Sequence, residues 1–120
     1  MLIKRINKDI GKDINSFYVI ENDHNIIGTV ALYQFEDMIE VACFAIQEKY
    51  QNQGYGKKLL KFCEGVALDK KIKQLFIFTT QSEHWFIENN FQITDKKFMP
   101  DKRKKTYTSE RNSKYFTKRL

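Results

Sequence analysis

Two features of this sequence could do chemistry: a glycine turn, and a carboxylate set in an apolar strand. The turn runs from Tyr50 to Lys58, Y-Q-N-Q-G-Y-G-K-K, with Gln51, Gly54 and Gly56 spaced as Q-x-x-G-x-G. An apolar run, Ile39 to Ile46, precedes it, and an amphipathic stretch, Lys57 to Leu68, follows. A strand, a glycine turn and a helix start aim several backbone N–H groups at one spot, where the helix dipole adds positive potential. With no Cβ at Gly54 or Gly56 the chain can turn tightly, and an oxyanion can approach the backbone closely. The chemistry on offer is an anion cradle, most naturally for a pyrophosphate, although glycine turns also precede helices where nothing binds. A Walker loop would need four residues between its glycines, and a dinucleotide fingerprint three glycines, so the turn is neither. The carboxylate is Glu40, which interrupts the run Met38, Ile39, Val41, Ala42, Cys43, Phe44. Burial beside a sheet would penalise its charge and suit it to act as a general base, directly or through water. At the solvent end of the strand it would simply face water.

The elements that must position these groups follow from periodicity. Leu2 to Ile6 reads as a short first strand, and Asn7 to Asn15 is polar, with room for one helical turn. Phe17 to Glu21 is a strand by its aromatic and β-branched content, and the turn formers Asn22-Asp23-His24-Asn25 lead by a hairpin into a third strand, Ile26 to Phe35. After Glu36-Asp37 comes Met38 to Ile46, so an antiparallel meander is predicted. Leu59, Leu60, Cys63, Val66 and Ala67 then form one apolar stripe on a helix. Leu75 to Thr80 is a continuous apolar strand of the type buried on both faces. Strand, helix, strand implies a right-handed crossover and parallel pairing with Met38 to Ile46. Ser82 is placed to cap a helix from Glu83 to Asn89, ended by Asn89-Asn90. Phe91 to Ile93 starts another strand, Pro100-Asp101 breaks the chain, and Lys114 to Leu120 closes the sheet as an edge. The class is α/β with a mixed sheet.

One hundred and twenty residues suit one domain, 1–120, with a single core, and 42% hydrophobic content makes it globular. No apolar run approaches the ~20 residues of a membrane span, and the N-terminus lacks a signal-peptide core. Cys43 and Cys63 have apolar neighbours and no C-x-x-C or histidine spacing, so both read as reduced core thiols, with no metal site expected. A cytoplasmic protein follows. The net charge of +6 is concentrated towards the C-terminal end, from Lys96 to Arg119. That field suits an anionic cofactor and an acidic substrate, or simply solvates the surface. With no recognition-helix pattern and no aromatics interleaved with the basic residues, nucleic acid is not expected as a partner.

The Q-x-x-G-x-G turn between strand and helix resembles the acetyl-CoA loop of the GNAT superfamily of N-acetyltransferases, and the element order resembles that fold across nearly the whole chain. The resemblance narrows at E-V-A-C-F-A-I (Glu40 to Ile46), L-F-I-F-T-T-Q-S-E-H-W-F (Leu75 to Phe86) and R-N-S-K (Arg111 to Lys114). These are similar to the acetyltransferase domain of bacterial N-acetylglutamate synthase. The implied activity is acetyl-CoA-dependent acetylation of the α-amine of L-glutamate, a step of arginine biosynthesis. Two departures accompany it. The amino-acid-kinase domain that the family carries ahead of this one has no room here. The two helices between its first and second strands, which wall the acceptor pocket, are reduced to Asn7 to Ser16.

The resemblance also implies a site. The fourth and fifth strands splay apart, and the pantetheine arm pairs with the exposed edge of the fourth at Phe44, Ala45 and Ile46. The diphosphate sits on Gln51, Asn52, Gln53, Gly54, Tyr55, Gly56 and Lys57. Glu40 is the expected base, and Thr79, across the splay, would donate to the leaving thiolate or orient the amine, or else serve only its turn. Many superfamily members place a tyrosine acid where this chain has Phe86, which cannot donate a proton. Arg111, Ser113 and Arg103 are the expected acceptor contacts, guanidinium groups being suited to carboxylates. Cys43 belongs with them, and Lys4 or Arg5 could add another. Trp85 reads as packing and His84 as surface. Two alternatives stay open: another small amine or a protein amine as acceptor, or a module that binds acetyl-CoA without turnover. Pairing of exposed C-terminal strand edges would give a homodimer.

Overall fold

The structure is a computed structural model that describes residues 2–6, 16–107 and 113–120. Strands β2 (Ser16–Asn22), β3 (Asn25–Phe35) and β4 (Met38–Ile46) pair antiparallel as the predicted meander, and β1 (Leu2–Ile6) adds to it antiparallel beside β2. The β2–β3 turn is two residues long, with Asp23 at φ 51° and His24 at φ 67°. That left-handed pair matches the twist of the strands it joins. A 3-10 turn, Glu48–Tyr50, leads into α1 (Tyr55–Asp69), which crosses back to β5 (Gln74–Thr79), and β5 lies parallel to β4. There follow α2 (Glu83–Glu88), β6 (Gln92–Ile93), a second 3-10 turn (Lys96–Phe98), α3 (Asp101–Lys104) and β7 (Lys114–Arg119).

The sheet order is β1-β2-β3-β4-β5-β7-β6. Lys114 to Leu120 is therefore not the edge expected from the sequence, because β7 inserts between β5 and β6. Burial explains the placement: Tyr115, Phe116 and Thr117 are all buried, so both faces of this strand need cover. The edge is β6, two exposed residues long. Met99 ends the second 3-10 turn, and Pro100, where a break was expected, stands at the N-cap position of α3 with no side-chain capping bond.

The alternation of β4 and β5 sorts the core into two faces. Ile39 and Val41 on β4, with Leu75 and Ile77 on β5, meet Leu59, Leu60, Cys63 and Ala67 of α1. Burying that stripe is the main reason α1 is stable, since a helix of this length is marginal alone. The opposite face holds Met38, Phe76, Met99 and Tyr115, with Phe35, Phe78 and Tyr107 packed on them. The segment from Lys96 to Tyr107 covers this second face, and Glu40, alternating with Ile39 and Val41, points to it.

Candidate functional site

Strands β4 and β5 are paired at only two positions, Ile39 with Leu75 and Glu40 with Phe76. Beyond Glu40 they separate. The cause is local to β4, where the register with β3 shifts between Thr29 and Ala31 and Cys43 takes φ 51°. Such a bulge bends and over-twists its strand. Thr29 fixes it by donating its hydroxyl to the Cys43 carbonyl at 3.1 Å. A cleft of about 790 Å³ opens between the strands, lined among others by Glu40, Cys43, Phe44, Phe78, Thr79 and Arg103. A smaller cavity of about 340 Å³ adjoins it and shares Phe44, Ser82 and Phe86 with it. Cys43 is thus an exposed thiol in the cleft and not the core residue read from its apolar neighbours. The bulge breaks the alternation that would have turned it inward. Cys63 is buried as expected, and desolvation, helped by the charge of Glu64, pushes its thiol up to about 12.

The smaller cavity lies at the start of α1 and takes in Phe44, Ala45, Ile46, Gln51, Asn52 and Gly56. Gly54 precedes the helix at φ 88°. The first amide to close a helical bond is that of Lys58, on the Gly54 carbonyl at 3.2 Å. The amides just before it have no partner within the helix. The first turn carries no acidic residue, and Lys57 and Lys58 add charge to the positive end of the helix dipole. Gln51 acts through its side chain, which donates to the Ile46 carbonyl at 2.9 Å and ties the turn to the end of β4. Gln53 likewise donates to the Lys49 carbonyl at 3.2 Å, and Asn52 takes φ 63°. Gly56 is a different case from Gly54. It sits inside the helix, against the ring of Trp85.

At the other end Glu40 is buried, 7% exposed, among apolar residues. Arg103 meets it from α3, with Nε donating to Oε1 at 2.7 Å and Nη2 to Oε2 at 3.4 Å. Arg103 is itself held by Thr106, whose hydroxyl accepts from Nη1 at 2.9 Å, and by the Phe78 ring beneath it at 4.9 Å. The pair joins residues 63 apart in the sequence, so no local pattern announces it. It places Arg103, expected as an acceptor contact, beside the expected base. Burial, and secondarily the charge of Glu40, pushes the Tyr115 phenol up to about 12. Tyr107, stacked on Phe78 at 5.0 Å, is shifted the other way, chiefly by Lys96, which donates to its hydroxyl at 2.7 Å.

Thr79 lines the same cleft as Glu40. Its oxygen accepts from the Ser82 amide at 3.0 Å and the Gln81 amide at 3.3 Å, which leaves the hydroxyl hydrogen to donate. Those two bonds close a turn before α2, and the cap expected from Ser82 is not made, since its side chain makes no capping bond. Ser113 is buried beside Tyr107 and is not among the residues lining the cleft. Lys4 is committed elsewhere, pairing with Glu21 at 2.9 Å. Arg111, residues 7–15 and the side chain of Arg5 lie outside the described residues. His84 pairs with Glu88 on the surface. Trp85 packs on Phe44 and Phe86, as expected, but also lines the smaller cavity, a role its position in the sequence does not signal. Among the described residues there is no cluster able to hold a metal, and no helix is long and apolar enough to cross a membrane.

A bulged strand parting from its parallel neighbour, a buried carboxylate at the fork and an amide-rich turn beyond it define one architecture. Residues 13–93 match the acetyltransferase (GNAT) domain, and the chain belongs to that family. It is 37% identical over 116 residues to the amino-acid acetyltransferase of Buchnera aphidicola (subspecies Acyrthosiphon pisum), covering 95% of this chain and 26% of that protein. Against the amino-acid acetyltransferase of Pseudomonas fluorescens identity is 36% over 122 residues, 100% of this chain and 28% of the relative. The chain spans about a quarter of the length of these relatives. The N-acetylglutamate synthase of Neisseria gonorrhoeae, complexed with coenzyme A and N-acetyl-glutamate, superposes with a TM-score of 0.82 at 36% identity, over 87% of this chain and 25% of that one. A GNAT acetyltransferase of Elizabethkingia anophelis with acetyl-CoA bound, 23% identical, shares the fold at a TM-score of 0.74 over 99% of this chain and 97% of that one.

Proposed function

We propose that this chain is an N-acetyltransferase that moves the acetyl group of acetyl-CoA to the α-amine of L-glutamate, a reaction belonging to arginine biosynthesis. The observation that carries the reading is the two-ended groove, with unpartnered helix amides at one end and a buried carboxylate at the other, joined at Phe44. Its likeness to the Neisseria synthase, whose complex holds coenzyme A and N-acetyl-glutamate, supports the choice of acceptor.

Acetyl-CoA supplies an acetyl thioester on a long arm that ends in a diphosphate. The edge of β4 at Phe44, Ala45 and Ile46, unpaired with β5, offers backbone groups for that arm apart from the Ile46 carbonyl held by Gln51. The amides from Asn52 to Lys57 suit the diphosphate, that of Gln51 being taken by the Glu48 carbonyl. Glu40 takes a proton from the acceptor amine, directly or through water, and the amine nitrogen then bonds to the acetyl carbon as the carbon–sulfur bond breaks. Oε2 of Glu40 is the freer oxygen for this, since Arg103 grips Oε1 more closely. Thr79 has a hydroxyl hydrogen for the departing sulfur. Arg103 lines the cleft and, with Arg111, is assigned to the carboxylates of the acceptor, whereas Ser113, buried and outside the cleft lining, is not.

A thiol-release assay over a panel of amino acids, polyamines and peptides tests this. Acetyl-CoA turnover dependent on L-glutamate is the expected result. Turnover with a different amine would replace the acceptor. Coenzyme binding with no turnover on any amine would overturn the enzymatic reading and leave a binding module.

A further inference from the structure

Gly56 has no conformational reason to be glycine. Of the two glycines in the turn, only Gly54 has a positive φ, and Gly56 lies in the first turn of α1 with ordinary helical backbone. What surrounds it is the reason. A Cβ at this position would stand 2.9 Å from Cζ2 of Trp85, and 3.5 and 3.6 Å from Cε2 and Cη2. The indole can move only at the cost of its own packing. It packs edge-on against Phe86 at 5.0 Å and against Phe44 at 5.5 Å between ring centroids, and the Trp85 carbonyl is held by the Asn89 side chain at 2.8 Å. Gly56 and Trp85 also line the same cavity, at the end of the groove where α1 begins.

We propose that Trp85 is the spacer of the cofactor groove. Reaching from α2 to the first turn of α1, its indole sets the distance between the two walls and forms one wall of the channel for the coenzyme arm. The same contact restricts position 56 to glycine. This assignment rests on acetyl-CoA being the donor, and it makes Trp85 a positioning residue that also touches the arm.

Trp85 is the single tryptophan of the chain, so its emission reads the groove directly. Titration of the full chain with coenzyme A is expected to change that emission saturably, with the midpoint found by calorimetry. Gly56→Ala is expected to weaken coenzyme A binding roughly tenfold, as overpacking displaces the indole into the channel. In a Trp85→Leu background, where the added methyl has room, Gly56→Ala should weaken binding less than about twofold further. Should Gly56→Ala alone fail to fold, recovery of folding by Trp85→Leu supports the contact, and no recovery overturns it. Calorimetric binding without any change in emission, or an equal loss from Gly56→Ala in both backgrounds, overturns the spacer role while leaving acetyl-CoA as donor. No calorimetric binding of coenzyme A to the unaltered chain overturns the donor assignment and the spacer with it.

Discussion

Replacing Arg103 by leucine isolates what holds Glu40 in the cleft. In the native protein the Glu40 and Arg103 side chains are 9% and 17% exposed and share a 2.7 Å hydrogen bond. Arg103→Leu would leave a carboxylate among Met38, Phe76 and Tyr115 with no opposing charge, and would strip the cation from the Phe78 ring. Losing one member of a fully buried pair costs about 3–5 kcal/mol, and the open cleft, which admits water, brings the expectation here to about 2–3 kcal/mol. At about 3–4 °C per kcal/mol for a chain of this length, the midpoint of unfolding should fall by roughly 6–12 °C. Glu40→Gln removes the charge but keeps an oxygen for Arg103, so it should cost only about 1 kcal/mol. In that background Arg103→Leu loses a neutral hydrogen bond and some packing, again about 1 kcal/mol, giving a coupling of about 1–2 kcal/mol. Urea unfolding of the four proteins, followed by circular dichroism, measures the cycle. If Arg103→Leu costs the same in both backgrounds to within about 0.5 kcal/mol, the pair does not position Glu40 and the reasoning fails.

Glu40→Gln should also lower turnover by about 10²–10⁴-fold while leaving acetyl-CoA affinity by calorimetry unaltered, and a variant with native turnover would remove Glu40 from the mechanism. Gly54→Ala meets no atom within 4 Å, so its penalty is conformational alone, about 1–2 kcal/mol by urea unfolding for a left-handed backbone at φ 88°; no loss would mean the turn relaxes. Cys43 should react with a thiol reagent in the folded chain while Cys63 stays protected, and equal rates would contradict the bulge that exposes Cys43. Stability should be level up to about pH 9 and then decline. Cys63, raised from 9.0 to about 12, and Tyr115, raised from 10.0 to about 12, hold protons in the folded state that the unfolded chain releases, and their contribution is lost as pH rises towards 12. Cys63→Val should remove the part of the decline that begins near pH 9, as urea midpoints across that range would reveal.

Local physics was enough for much of this protein. The Q-x-x-G-x-G spacing marks the turn because φ 88° at Gly54 is a property of one residue and its neighbours. The 3.6-residue stripe from Leu59 to Ala67 and the alternation of β2 to β4 mark their elements because burial on one face writes itself into spacing. The same local reasoning failed where a second element decides the outcome. Ser82 has the right residue type and position for a cap, yet its side chain makes no capping bond, and the turn before the helix is closed by Thr79. Cys43 sits among apolar residues, yet a register shift against β3 turns it out. The last strand looks like an edge until the burial of both its faces shows it must lie inside.

What the sequence alone determined, then, is a set of elements and one glycine turn, because each depends on contacts a few residues long. What only the tertiary structure decided is which groups face one another: Arg103 on Glu40 across 63 residues, and Trp85 on Gly56 across the groove. Both are pairings between separate elements whose distance is fixed by how the β4–β5 fork opens, and no short stretch of chain records that angle.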